Sequence, residues 1–191
     1  MSDQANVEQQ LRQECWEKRF YSFGTAKIFE RRALKLGRKR RLITFLGLAT
    51  PITLGAFVTA YSAASPVLQY ILLPLSGAVA MLQSVVSLWS LVAGWDEAYA
   101  YAIGSVKNNN RLTSLAEELA RGSRSRLEKD IELLRFEYSR QDAEDSAQEI
   151  TDKEKRYAER CALFQYRQEC PACKQVPANM KPTSCDSCGN F

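Results

Sequence analysis

Histidine is missing from all 191 residues. Its absence removes imidazole acid–base catalysis and imidazole metal ligation together. Neither the P-loop nor the dinucleotide glycine fingerprint occurs. No nucleophile–base pair stands at motif spacing, and acid-rich Asp142-Ala-Glu-Asp145 reads as a solvated helix face. No strand pattern longer than the cysteine-rich ending is present. The chain is therefore expected to be all-α and not an enzyme. Charge is also missing, but only locally: 54 consecutive residues, Leu42 to Trp95, contain no Asp, Glu, Lys or Arg.

That gap outweighs the soluble-looking mean hydropathy of -0.32. A bilayer core takes roughly 20 apolar residues per helix, so the stretch has room for two spans and a short turn. A soluble domain of this size has too little polar flank to cover it. The reading is a two-helix transmembrane hairpin, about 42–63 and 67–94, within 42–95. Residues 1–41 precede it as a cytoplasmic amphipathic helix, and 96–169 follow as a cytoplasmic helical domain. A cleavable signal peptide is not expected, because the apolar run begins only after 41 charge-rich residues.

Charge sets the sides. Lys27, Arg31, Arg32, Lys35, Arg38, Lys39, Arg40 and Arg41 face only one acid, Glu30, in the segment before the gap. The N-terminal flank has 11 basic and 5 acidic residues, a net +6, while the C-terminal flank has 15 and 17, a net -2. Positive charge retained beside the first span keeps the N-terminus cytoplasmic, and two spans return the C-terminus to that side. The same basic run also has a reading as a patch for nucleic acid or anionic lipid.

Periodicity places the helices. Val7, Leu11, Cys15, Trp16, Phe20 and Phe23 predict an amphipathic helix over about 7–36, weakened at Gly24 and Gly37. Pro51 and Pro74 fall inside the spans, and the turn is expected near Ser65-Pro66. Tyr61 and Tyr70 are expected at the outer interface; Trp89, Trp95, Tyr99 and Tyr101 are expected at the inner one. A helix follows from Asp96 to about Leu119, with a possible break at Asn108–Asn110. Another is expected over roughly 125–169, with Leu127, Ile131, Leu134 and Tyr138 on one stripe and Tyr157, Cys161 and Phe164 further on. Its polar middle, 140–155, is either solvated or packed through charges.

The second span carries a seam of small and polar residues, Ser76, Ala80, Gln83, Ser87, Ser90 and Gly94, spaced 4, 3, 4, 3 and 4. Two accounts stay open. Such seams let membrane helices approach closely. In an oligomer, the same stripe of Ser76, Ala80, Gln83, Ser87 and Ser90 can line a conduction path. Gln83 is the sharpest clue, since a mid-membrane amide needs a partner or water.

The ending supplies the most specific motif. Cys170-Pro-Ala-Cys173 and Cys185-Asp-Ser-Cys188 are two CxxC pairs separated by 11 residues. Four thiolates make the closed tetrahedral shell of structural Zn2+, within a zinc-ribbon-like module over 170–191. Two disulfides would need an oxidising compartment, and the charge argument places this end in the cytoplasm. Gly189 is expected to take a positive φ in the second knuckle. Cys15 and Cys161 read as packing residues.

The amphipathic first helix, the basic step into two spans and the helical tail together resemble the SLATT group of bacterial two-span effectors. The spacing of Cys170, Cys173, Cys185 and Cys188 is similar to a mobile-element subgroup defined by that ending. The resemblance implies an oligomeric pore-forming effector of anti-phage defence, seated in the bacterial inner membrane and paired with a nucleotidyltransferase. In Hailong-type systems such an effector is a tetrameric channel held closed by an oligodeoxynucleotide from the partner enzyme. A regulator of that kind needs arginines to neutralise phosphate. Arg121, Arg124 and Arg126 are the candidates, against their plainer reading as an exposed helix connection. A membrane-anchored scaffold with a zinc-stapled domain is the alternative function.

Overall fold

The computed structural model describes residues 2–60, 66 and 68–191. Five α-helices follow in order: α1 (Ser2–Ala60), α2 (Leu73–Val92), α3 (Trp95–Arg121), α4 (Arg124–Ser146) and α5 (Asp152–Tyr166). A π-helical turn, Leu68–Leu72, leads into α2. It sits one turn ahead of Pro74, the second residue of α2, where a wider turn accommodates the missing N–H and the ring. No strand occurs among the described residues. Tyr61 and, of the expected turn, Ser65 lie outside them.

The chain divides into two compact units. One comprises Met1–Arg31 with Ala102–Phe191, and the other Arg32–Tyr101.

The first unit has an ordinary apolar core. Cys15 of α1, Leu112, Ala116, Leu119 and Ala120 of α3, and Leu127, Ile131 and Leu134 of α4 pack together in it, with Leu11, Trp16, Leu115 and Tyr138 at its edge. The 4-then-3 spacings of Leu112, Ala116, Leu119 and of Leu127, Ile131, Leu134 present one stripe per helix. Arg135 of α4 reaches Glu14 of α1 through two bonds of 2.9 and 2.5 Å.

Two helix boundaries differ from expectation. α3 runs through Asn108–Asn110 without a break, because Asn109 is used internally. Its amide donates to Asp145 Oδ2 at 2.7 Å, while Ser105 Oγ donates to Asp145 Oδ1 at the same distance. Gln141 Nε2 donates to Asp145 Oδ1 at 3.0 Å, and its Oε1 accepts from Asn108 Nδ2 at 2.9 Å. Asp145 is therefore buried and hydrogen-bonded, and Asp142-Ala-Glu-Asp145 is not wholly a solvated face. The single helix expected over 125–169 is two. Glu149 has φ 51°, and Thr151 opens α5 with a reciprocal capping box to Glu154.

The second unit reverses this pattern. Among its described residues only Ala33 is buried. Leu42, Phe45, Leu48 and Ile52 of α1 are 60–67% exposed, and Met81, Leu82, Leu88, Trp89, Leu91 and Val92 of α2 are 63–79% exposed. Gln69–Val92, with a mean hydropathy of 1.9, is long and apolar enough to cross a membrane, and it is the one such helix among the described residues. The last part of α1 and α2 face each other across an open cleft. Ala49, Thr50, Thr53 and Phe57 from one, and Leu72, Leu75, Ser76 and Val79 from the other, line a cavity of about 220 Å³. Gly94, at φ 60°, makes the turn from α2 to α3.

Candidate metal centre

α5 is the platform for the cysteine module. It ends at Arg167 in a left-handed conformation (φ 53°), and Gln168 N–H closes back on Leu163 O at 3.1 Å. The chain then turns directly into Cys170. Buried Leu163, Cys170 and Cys188 form a small core of their own, with Phe20, Cys173 and Cys185 against it.

Each CxxC pair is a knuckle held by its own backbone. In the first, Lys174 N–H reaches Cys170 O at 2.9 Å, and Cys170 N–H reaches Gln175 O at 3.0 Å. In the second, Gly189 and Asn190 N–H groups converge on Cys185 O at 2.9 and 3.1 Å. The positive φ falls at Lys174 (57°) and not at Gly189. Gly189 is needed for space instead: a Cβ there would lie 2.6 Å from Thr183 O and 2.8 Å from Cys185 N.

The knuckles bring all four Sγ atoms within 4.8 Å of one another. Cys170–Cys185 and Cys173–Cys188 are each separated by 3.9 Å, and all four thiols are free. A tetrahedral ion with metal–sulfur bonds of about 2.3 Å sets its sulfurs about 3.8 Å apart. The donors therefore fit one four-coordinate ion. N–H groups of Cys188 and Ser187 pull the Cys185 thiol down to about 7, while burial pushes Cys188 well above the usual 9.

This geometry agrees with the outcome of comparison. A family model described as "Mobilome CxxCx(11)CxxC protein" matches residues 12–191. The chain belongs to the mobilome CxxCx(11)CxxC family. No curated protein and no solved structure matches it.

In this mobilome CxxCx(11)CxxC protein the module is supported by a group that cysteine spacing does not reveal. Arg160, 5% exposed, donates from Nε to Asn179 O at 2.9 Å and from Nη1 to Cys188 O at 3.3 Å, and its Nη1 lies 3.9 Å from Cys188 Sγ. A guanidinium there would offset the negative charge of cysteine thiolates gathered around a metal ion. Arg156 Nη1 donates to Asn190 O, and Ser187 Oγ donates to Glu159 Oε1 at 2.7 Å. The only sequence signal is the helical spacing of Arg156, Glu159 and Arg160 just before the cysteines.

The other candidate residues are placed as follows. Ser76, Gln83 and Ser90 are half-buried, whereas Ala80 and Ser87 are exposed. Gln83 lies against Gly47 of α1, close enough that a Cβ there would meet its Nε2 at 2.8 Å. Ser76 Oγ donates to Leu73 O of its own helix. Among the described residues, nothing hydrogen-bonds the Gln83 side chain. Arg121, Arg124 and Arg126 gather at the α3–α4 connection, each paired with a carboxylate: Glu117 at 2.6 Å, Glu128 at 2.7 Å and Glu118 at 2.8 Å. Arg12 joins them by donating to Ala120 O and Gly122 O. The Arg124–Glu128 and Arg126–Glu118 pairs are solvent-exposed, whereas Glu117 is partly buried and also pairs with Arg19 at 3.1 Å.

Proposed function

We propose that this protein is a homo-oligomeric, pore- or channel-forming membrane effector whose opening depolarises its own cell. Gln83 carries the reading. It is an amide in the middle of an apolar helix, without a hydrogen-bond partner among the described residues, on a seam whose outer edge at Ala80 and Ser87 is exposed. In a bilayer such a group is satisfied by another copy or by water. Both are supplied when several hairpins surround a conduit. Residues 42–63 and 67–94 are the two spans, with both termini cytoplasmic in a bacterial inner membrane. The uncovered leucines and phenylalanines of α1 and α2 support this placement.

The four cysteines hold Zn2+ as a structural staple: four thiolates leave no open position for catalysis. Mobilome membership and the SLATT-like architecture support a role in anti-phage defence. The proposed signal is a nucleotide or oligodeoxynucleotide from a partner nucleotidyltransferase, received at Arg121, Arg124 and Arg126. The expected assembly is a tetramer.

Expression in a bacterial host without the regulator should collapse the potential reported by a voltage-sensitive dye. Gln83→Leu combined with Ser87→Leu should abolish the collapse while the oligomer, sized by cross-linking, persists. A double variant that still depolarises removes the pore-wall assignment. The scaffold reading rests on the module's ties to α5 and predicts no conductance in planar bilayers.

A further inference from the structure

The eight basic residues before the uncharged stretch are not equivalent. Lys27 pairs with Glu30 at 2.7 Å, and Arg31 stacks on Tyr157 at 4.7 Å. Arg40 pairs with Asp96 at 2.5 Å and covers Tyr99, while Lys39 lies over Trp95 at 4.6 Å. Lys35, Arg38 and Arg41 are exposed and have no carboxylate partner among the described residues. At about 100° per residue, these three fall with Leu34, Leu42 and Phe45 on one arc of about 120°. The three apolar residues are 53%, 60% and 66% exposed. On the opposite face of α1 lie Ala33, Arg40, Ile43 and Gly47, buried or half-buried.

We infer that Lys35, Arg38 and Arg41 form a binding stripe for the phosphate headgroup of an anionic phospholipid, whose acyl chains lie along Leu42 and Phe45. The inference rests on the membrane reading proposed above. Phosphate alone or a nucleic acid would be served by cations anywhere on the surface. Here unpaired cations grade, on one helical face, into exposed apolar side chains, and an amphiphile with an anionic head matches both halves. Arg38 and Arg41 lie one helical turn apart, within reach of a single headgroup.

The test uses the full chain reconstituted in phosphatidylcholine bilayers with brominated lipids, which quench tryptophan on contact. Trp89 and Trp95 report from α2 and from the start of α3. Brominated phosphatidylglycerol should quench with a preference of roughly fivefold over brominated phosphatidylcholine. Lys35→Gln/Arg38→Gln/Arg41→Gln should bring that ratio to near one with bound metal unchanged, and Arg38→Lys/Arg41→Lys should retain the preference. Equal quenching by both lipids in the wild type, or a preference that survives in the triple variant, overturns the inference. Loss of preference on adding millimolar glycerol phosphate assigns the stripe to free phosphate and overturns it too. So does stripe-dependent binding of a single-stranded oligodeoxynucleotide in its place. No quenching by either lipid would instead overturn the membrane reading itself.

Discussion

The two units of this chain are made by the same kinds of helix and treat apolar side chains in opposite ways. In Met1–Arg31 with Ala102–Phe191, Cys15, Leu119, Leu127 and Leu134 are fully buried, and even Asp145 and Arg160 are covered and hydrogen-bonded. In Arg32–Tyr101, α2 has no buried residue, although Leu73–Val92 is the most apolar helix of the five. A leucine or phenylalanine left in water forgoes about 1.5–3 kcal/mol of burial. The first unit gains that energy from its own core. The second does not, and one of its helices, Gln69–Val92, is long and apolar enough to cross a membrane.

The comparison breaks most severely at the cysteines, because the module's small apolar core is too slight to hold it. Cys170→Ser, or removal of metal by a strong chelator, should take bound metal from about one ion per chain to near zero and unfold residues 170–191. Elemental analysis alongside limited proteolysis checks this. A variant that keeps its ion and stays protease-resistant would show that Cys170 is not a ligand.

Paired truncations sharpen it next. Leu127→Ala empties a fully buried site and should cost about 2–5 kcal/mol of the first unit's stability. Leu82→Ala, at a side chain 66% exposed in α2, should change stability in detergent by less than about 0.5 kcal/mol. A large loss at Leu82 would mean that its face packs inside the protein.

Arg160→Ala comes third. It removes the cation beside Cys188 Sγ and the bonds to Asn179 and Cys188 carbonyls. Metal affinity should fall about 10–100-fold, read by competition with a chromophoric chelator. An unchanged affinity would leave Arg160 only a packing role.

These sites also show what could be read from residues alone. The stripe of Leu127, Ile131 and Leu134 is visible because helix periodicity is local, and the four cysteines because ligand spacing is local. The break before α5 is equally local: Thr151 followed by Glu154 is a capping-box pattern. The sequence reading carries one helix through it because the polar residues on either side offer no apolar stripe to lose phase. Asp145 and Arg160 are different in kind. Asp145 is bound by Ser105, 40 residues away, and Arg160 by Cys188, 28 residues away. Each looks in sequence like any surface charge on a helix, and only the fold supplies its partner. Gly189 is a third kind, where the expected glycine is present for crowding and not for its backbone angle.

The smallest effect concerns the ion pair that ties α1 to α4 inside the well-packed unit. The Arg135 guanidinium beside Glu14 holds that carboxyl below its usual 4.5. A depressed folded-state value means that the pair's contribution is fully present above about pH 4.5 and is lost as pH falls through the lower, folded value. Both side chains are partly exposed, and Arg135 also binds Glu132 at 2.6 Å, so solvent and the second partner dilute the pair. Glu14→Gln should therefore cost no more than about 1 kcal/mol at neutral pH. Denaturation curves of wild type and variant should converge as the pH is lowered below 4.5. A gap that stays constant across that range would mean that Glu14 contributes through the packing of its stem rather than through its charge.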